Sequence, residues 1–144
     1  MNTAIDIAKK ILYKATNDEK GELVSNLKLQ KLLYYMQGYH LAVFNKPLFN
    51  EEIEAWMYGP VVPNVYNEYS RFGNKGIECN ETPITLSEDE EALFDEVYEV
   101  YSQYSAYGLM NLTHKEKPWE TTSTGVGNII SKEKIRVFFK TKIS

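Results

Sequence analysis

Apolar residues recur at helical spacing in six stretches of this chain, separated by short polar runs. The first stretch begins at Thr3, where Asp6 completes a capping-box pattern, and it sets Ala4, Ile7, Ala8, Ile11, Leu12 and Ala15 on one face. A polar run over residues 17–22 ends it. The second stretch runs from about Leu27 to Phe44, capped by Ser25 or Asn26. On a helical wheel Leu29, Leu32, Leu33, Met36, His40 and Val43 share one stripe. Tyr34, Gly38, Leu41 and Ala42 form an opposite stripe, with Tyr35 beside it. A helix apolar on two sides must be enclosed, so this one is expected at the centre of the domain. Gly38 in mid-helix costs about 1 kcal/mol relative to Ala, which a closely approaching backbone or ring would offset.

Beyond Pro47, the segment Ile53 to Tyr58 alternates partially and reads as a strand, with Gly59-Pro60 turning the chain. A third helix is expected over residues 62–72, with Val62, Val65, Tyr66 and Tyr69 inward and Gly73 as its C-cap. Residues 74–86 form a loop. Ser87-Glu88-Asp89-Glu90 is a capped, acidic and solvated helix start, followed by a stripe of Phe94, Val97, Tyr98, Tyr101 and Tyr104. Ser105 caps a fifth helix over 106–114, and Lys115 to Trp119 stops it. The small, polar, Gly-rich stretch 121–128 reads as a mobile loop. Ser131 caps the last helix, 132–140, with Ile135, Phe138 and Phe139 inward. The pattern predicts a mainly α fold: one compact helical domain over residues 1–144. About six helices surround a central apolar helix, with a short β-strand or hairpin near residues 48–58.

Composition narrows the function more than the fold. Charged residues make up 25% and hydrophobic ones 43%, so a folded globular domain is expected rather than a disordered one. Eleven of the 144 residues are Tyr, which suits helix interfaces and binding surfaces alike. The net charge of −4 lacks the basic excess of a phosphate-binding domain, so nucleic acid is not the expected partner. Lys28 and Lys31 lie near the start of the second helix, but the rest of that helix describes a core element rather than one that enters a DNA groove. One cysteine, Cys79, forms no internal disulfide and fits a reducing compartment. No stretch approaches the roughly 20 apolar residues of a membrane span. Residues 1–6 lack a signal-peptide pattern. The cytoplasm is therefore the expected location.

The chain carries few residues in patterns that suggest chemistry. Two His and one Cys cannot supply a zinc set without carboxylates. Cys79 sits between Glu78 and Glu81, whose charges oppose thiolate formation. His40 falls within an apolar stripe and reads as a neutral core histidine bonded to backbone. His114 ends a short helix and reads either as tying down, with Thr113, the loop that seats Trp119 or, slightly less favoured, as a functional residue. No phosphate loop occurs, and Gly125-Val126-Gly127 is too short for a nucleotide fingerprint. Neither catalysis, a metal nor a cofactor is expected.

Three segments do form a constellation: Leu29-Gln30-Lys31-Leu32-Leu33-Tyr34-Tyr35-Met36-Gln37-Gly38, Glu54-Ala55-Trp56-Met57-Tyr58-Gly59-Pro60-Val61-Val62, and Thr113-His114-Lys115-Glu116-Lys117-Pro118-Trp119. In order and spacing they resemble the Panacea domain, a SocA-like or GepA-like phage-associated family, with a likeness spanning roughly residues 5 to 140. That resemblance implies the antitoxin half of a toxin–antitoxin pair, carried in prophages and mobile elements. Its partner would be a separately encoded protein toxin, neutralised by direct contact through active-site blocking or delivery for degradation. The alternative is a phage or mobile-element accessory protein that binds a different host or phage protein. Since the likeness spans nearly all of these residues, a separate DNA-binding module is not expected among them. A basic toxin would suit the acidic chain through encounter rate and partner choice, and self-association is left open. The candidate partner-binding residues are Tyr35, Trp56, Tyr58, Gly59, Pro60, His114 and Trp119. Each Trp is read either as a core residue or as an interface anchor.

Overall fold

A computed structural model describes residues 2–143. Its helices are α1 (Ala4–Thr16), α2 (Asn26–Phe44), α3 (Pro63–Tyr69), α4 (Glu88–Tyr101), α5 (Ala106–His114), α6 (Lys117–Glu120) and α7 (Lys132–Lys140). Three short strands, β1 (Ile53–Trp56), β2 (Gly59–Val61) and β3 (Ile129–Ile130), make an antiparallel sheet in the order β2-β1-β3. The fold is mainly α. The expected helix count rises by one because Lys115 to Trp119 does not simply stop α5. Pro118 sits in the first turn of α6, where its missing N–H is harmless.

The central position expected for α2 is borne out. Helices α1, α3, α4, α5 and α7 and strand β2 all pack against it. Ser25 caps its first turn by accepting from the Lys28 amide, and Asn45 ends it at φ 57°. Leu29, Leu32, Leu33, Tyr34 and Tyr35 are wholly buried. Val43 departs from the expected stripe: it is 44% exposed, in the last turn, facing an open recess that Tyr39, Val97 and Ile143 also line. Leu33→Ala is expected to cost about 2–5 kcal/mol through the cavity it opens. A denaturant melt checks this, and a loss below about half a kcal/mol would contradict a core position.

Two polar readings change in three dimensions. The acidic start of α4 is not merely solvated. Glu91 pairs with Lys10 of α1 at 2.9 Å, and Glu90 completes the Ser87 capping box while its other oxygen meets His40 Nε2 at 2.6 Å. His40 Nδ1 faces the Lys46 carbonyl at 2.7 Å, so the histidine binds backbone as expected but also joins α2 to α4. The His40 bond, foremost, holds the Glu90 carboxyl below the usual range.

The strand near 48–58 proves to be a hairpin displaced towards the C-terminus. Its turn is Met57-Tyr58, two residues before the expected Gly59-Pro60, because Gly59 and Pro60 pair with Trp56 and Ala55. Pro60 is tolerated on an edge strand, where no ladder N–H is demanded of it. The stretch 121–128 is fastened to β1. Gly125 N–H donates to the Ala55 carbonyl, Ala55 N–H to Asn128, and Gly127 N–H to Glu54 Oε1, at 2.7–2.9 Å. Tyr104 lies beyond the end of α4 and is 42% exposed.

Candidate functional site

The three segments singled out in the sequence meet at the N-terminal half of α2. Lys31 is wholly buried, and its ammonium reaches the Pro60 carbonyl at 3.5 Å. Gly59, at φ +115°, lies over its stem: a Cβ there would stand 2.5 Å from Lys31 Cε and 3.0 Å from Thr113 Oγ1. Glycine is thus required twice, for the backbone conformation and for the close approach. Gln30 accepts from the Val62 amide at 2.9 Å and fixes the strand exit. On the next turn, Tyr34 and Tyr35 hydroxyls donate to the two oxygens of Glu116, each at 3.0 Å. The Tyr35 ring stacks on Tyr101 at 4.0 Å.

Burial sets the charge states of this centre. It pushes the Glu116 carboxyl up, more than the bonds from Tyr34 and Tyr35 bring it down. Both phenols are raised too, by burial first and then by the Glu116 charge. With only desolvation acting on it, Lys31 is lowered to about 7. The unfolded chain therefore holds this proton where the folded chain does not, and stability should climb from about pH 7 towards the ordinary lysine value of about 10.4. Lys31→Met keeps the stem and removes the amine. It is expected to flatten that slope and to add about 1–4 kcal/mol at pH 7, the span found when buried ionic groups are replaced by apolar ones. Melts across pH 6–10 check this. An unchanged slope would show that Lys31 is not its source.

The third segment connects this centre to the surface. His114 stacks on Trp119 with centroids 4.0 Å apart, and its buried Nε2 has no hydrogen-bond partner. Burial, then the Lys31 charge, hold its imidazole below the ordinary range. Trp119 Nε1 donates to the Trp56 carbonyl at 2.8 Å and so fixes the end of β1. Trp56 in turn donates from Nε1 to Glu54 at 2.9 Å and meets Tyr66 edge-on at 5.1 Å.

Above lies an open groove of about 700 Å³, walled by Trp56, Tyr58, Tyr66, Leu27 and Val126. Met57, Tyr58 and Val126 stand 67%, 59% and 81% exposed, an unusual apolar display for neighbouring positions. Of the expected partner-binding residues, Trp56 and Tyr58 reach the groove. His114 and Trp119 stand half-buried behind the hairpin, while Tyr35, Gly59 and Pro60 are buried. Those three cannot be contact side chains in this conformation, because Tyr101 of α4 and Phe139 of α7 pack on the Tyr35 ring while α2 and α5 cover Gly59 and Pro60. Met57, Tyr66 and Val126 join the groove from outside the expected partner-binding set. The one available signal for Val126 was an apolar residue held between two glycines.

Lys28 and Lys31 offer no DNA-reading face: Lys31 is enclosed, and Lys28 is half-buried with its ammonium on the Ser102 carbonyl at 2.6 Å. Among the described residues no helix is long and apolar enough to cross a membrane, and no three His, Cys, Asp or Glu residues cluster as metal ligands.

The sequence profile of the SocA-like antitoxins, Panacea domain, matches residues 29–120, which include all three converging segments. The chain belongs to the SocA-like antitoxin family. It is similar to the antitoxin SocA of Caulobacter vibrioides, with 32% identity over 118 residues, covering 72% of this chain and 62% of the relative. This chain thus spans under two thirds of that relative's length. No solved structure matches it. Within the Panacea domain, the matched region holds Lys31, Gly59, Thr113 and Glu116 together with most of the groove wall.

Proposed function

We propose that this chain is the antitoxin of a toxin–antitoxin pair, acting in the cytoplasm. It neutralises a separately encoded protein toxin by direct contact, without catalysis of its own. Family membership supports the antitoxin role, and the groove supports the contact. Exposed Met57, Tyr58 and Val126 beside Trp56 and Tyr66 are the observation that carries it. Contiguous exposed apolar surface marks interaction sites, and interface energy concentrates in Trp and Tyr anchors.

Roles then divide by burial. Trp56 and Tyr58 touch the toxin. Trp119 and His114 brace the hairpin from behind, and Lys31, Tyr35, Gly59, Pro60 and Glu116 form the foundation beneath it. Trp56→Ala is expected to leave the melting temperature nearly unchanged and to weaken toxin binding by at least about 2 kcal/mol. Trp119→Ala removes the His114 stack and the bond to the Trp56 carbonyl, and should cost about 3 kcal/mol of stability. Calorimetric titration and thermal melts on the two purified variants separate these effects. Wild-type affinity in Trp56→Ala, with its fold intact, would remove the groove from the interface.

A further inference from the structure

We infer that the groove takes an uncharged, apolar segment of the toxin, so that recognition there does not depend on the acidity of this chain. The inference rests on the antitoxin reading above and specifies the chemistry of its partner.

Fourteen residues line the groove, and none carries a charge, although a quarter of the chain is charged. Four other recesses on the described surface each include at least two charged side chains. One between α1 and α4 holds Lys10, Lys14, Asp18, Glu91, Asp95 and Glu99, where Lys10–Glu91 and Lys14–Asp95 already pair at 2.9 and 3.2 Å. The absence of charge in the groove is therefore local and not a property of the surface at large.

Its buried polar side chains, Asn26 and Gln30, are also committed. Asn26 Nδ2 donates to the Tyr66 carbonyl at 3.0 Å, and Asn26 Oδ1 accepts from Gln30 Nε2 at 2.9 Å. Gln30 Oε1 takes the Val62 amide. Glu54, on the groove's own strand, has Oε1 occupied by the Trp56 indole and the Gly127 amide. A lysine or arginine entering here would leave water for a lining that holds no carboxylate, which is unfavourable. Apolar and aromatic side chains meet no such penalty. They would pack on the faces of Trp56 and Tyr66 and between Met57, Tyr58 and Val126.

The probe is a neighbouring gene's product that arrests growth when expressed alone. Its affinity is titrated at low and high salt, about 0.05 and 0.5 M NaCl, a span over which exposed charge attraction is largely screened. Two variants accompany the wild type: Tyr58→Ala, and Val126→Asp, which places a carboxylate on an exposed position. Melts confirm that both remain folded. The expected result is a change in affinity of less than about threefold with salt, and a loss of more than about tenfold in each variant. A steep loss of affinity with salt overturns the inference, as does wild-type affinity in both variants. If the wild-type chain neither binds nor protects against that toxin, the antitoxin reading itself fails, an outcome distinct from the other two.

Discussion

Glu116→Ala is expected to destabilise the fold by about 2–6 kcal/mol, because two buried phenols lose their acceptor and each such orphan costs about 1–3 kcal/mol. That is a large share of a stability of about 5–15 kcal/mol. Tyr34 and Tyr35 have no other side-chain acceptor for their hydroxyls, and both are wholly buried between α2 and its neighbours. Glu116→Gln should lose much less. Its amide oxygen still accepts from one phenol, and its NH₂ can donate to the oxygen of the other. The pH dependence should change as well. Since burial raises the folded-state value of Glu116, its contribution is fully present below the ordinary glutamate value of about 4.3 and is lost as pH rises through the raised one. Glu116→Gln should flatten stability across that window. Equal losses in the Ala and Gln variants, by denaturant melt, would show that the two hydrogen bonds are not what Glu116 provides.

Gly38→Ala is expected to destabilise by about 2–3 kcal/mol, opposite in sign to the gain that helix propensity alone gives of about 1 kcal/mol. A Cβ at this position would collide with Cδ2, Cε2 and Cζ of Phe139. That ring cannot step aside easily, since Tyr34, Tyr35 and Tyr39 enclose it with centroids 5.3, 5.8 and 4.9 Å away. The double variant Gly38→Ala with Phe139→Leu should recover part of the loss by giving the methyl room. A higher melting temperature in Gly38→Ala would mean that α7 is not seated on α2 in this way.

Those two residues also show what was legible in the sequence. The double stripe of α2 places it at the centre, and the odd glycine in it points to a close neighbour, which the structure supplies as Phe139. Capping residues at Thr3, Ser25, Ser87, Ser105 and Ser131 mark five helix starts within a residue or so, because a cap is a local hydrogen bond that needs no tertiary knowledge. Long-range partners are another matter. Nothing in the spacing of Lys31, Gly59 and Thr113 reveals that they touch, and Glu116 in a run of charges looks solvated until two tyrosines 81 and 82 positions away are brought to it. The same limit applies to the site. Trp56 and Tyr58 could be chosen by residue type. Val126 could not, because its prominence depends on a loop held to β1 by backbone bonds. Burial likewise places Tyr35, Gly59 and Pro60 inside the fold, away from the groove's lining.

The central claim is tested most directly by co-expressing this chain with a neighbouring gene's product chosen because it arrests growth when expressed alone, and passing the mixture over a sizing column. Contact neutralisation predicts restored growth and a stoichiometric complex that elutes ahead of either protein. Growth restored with the two proteins eluting separately, at concentrations well above those in the cell, would contradict it.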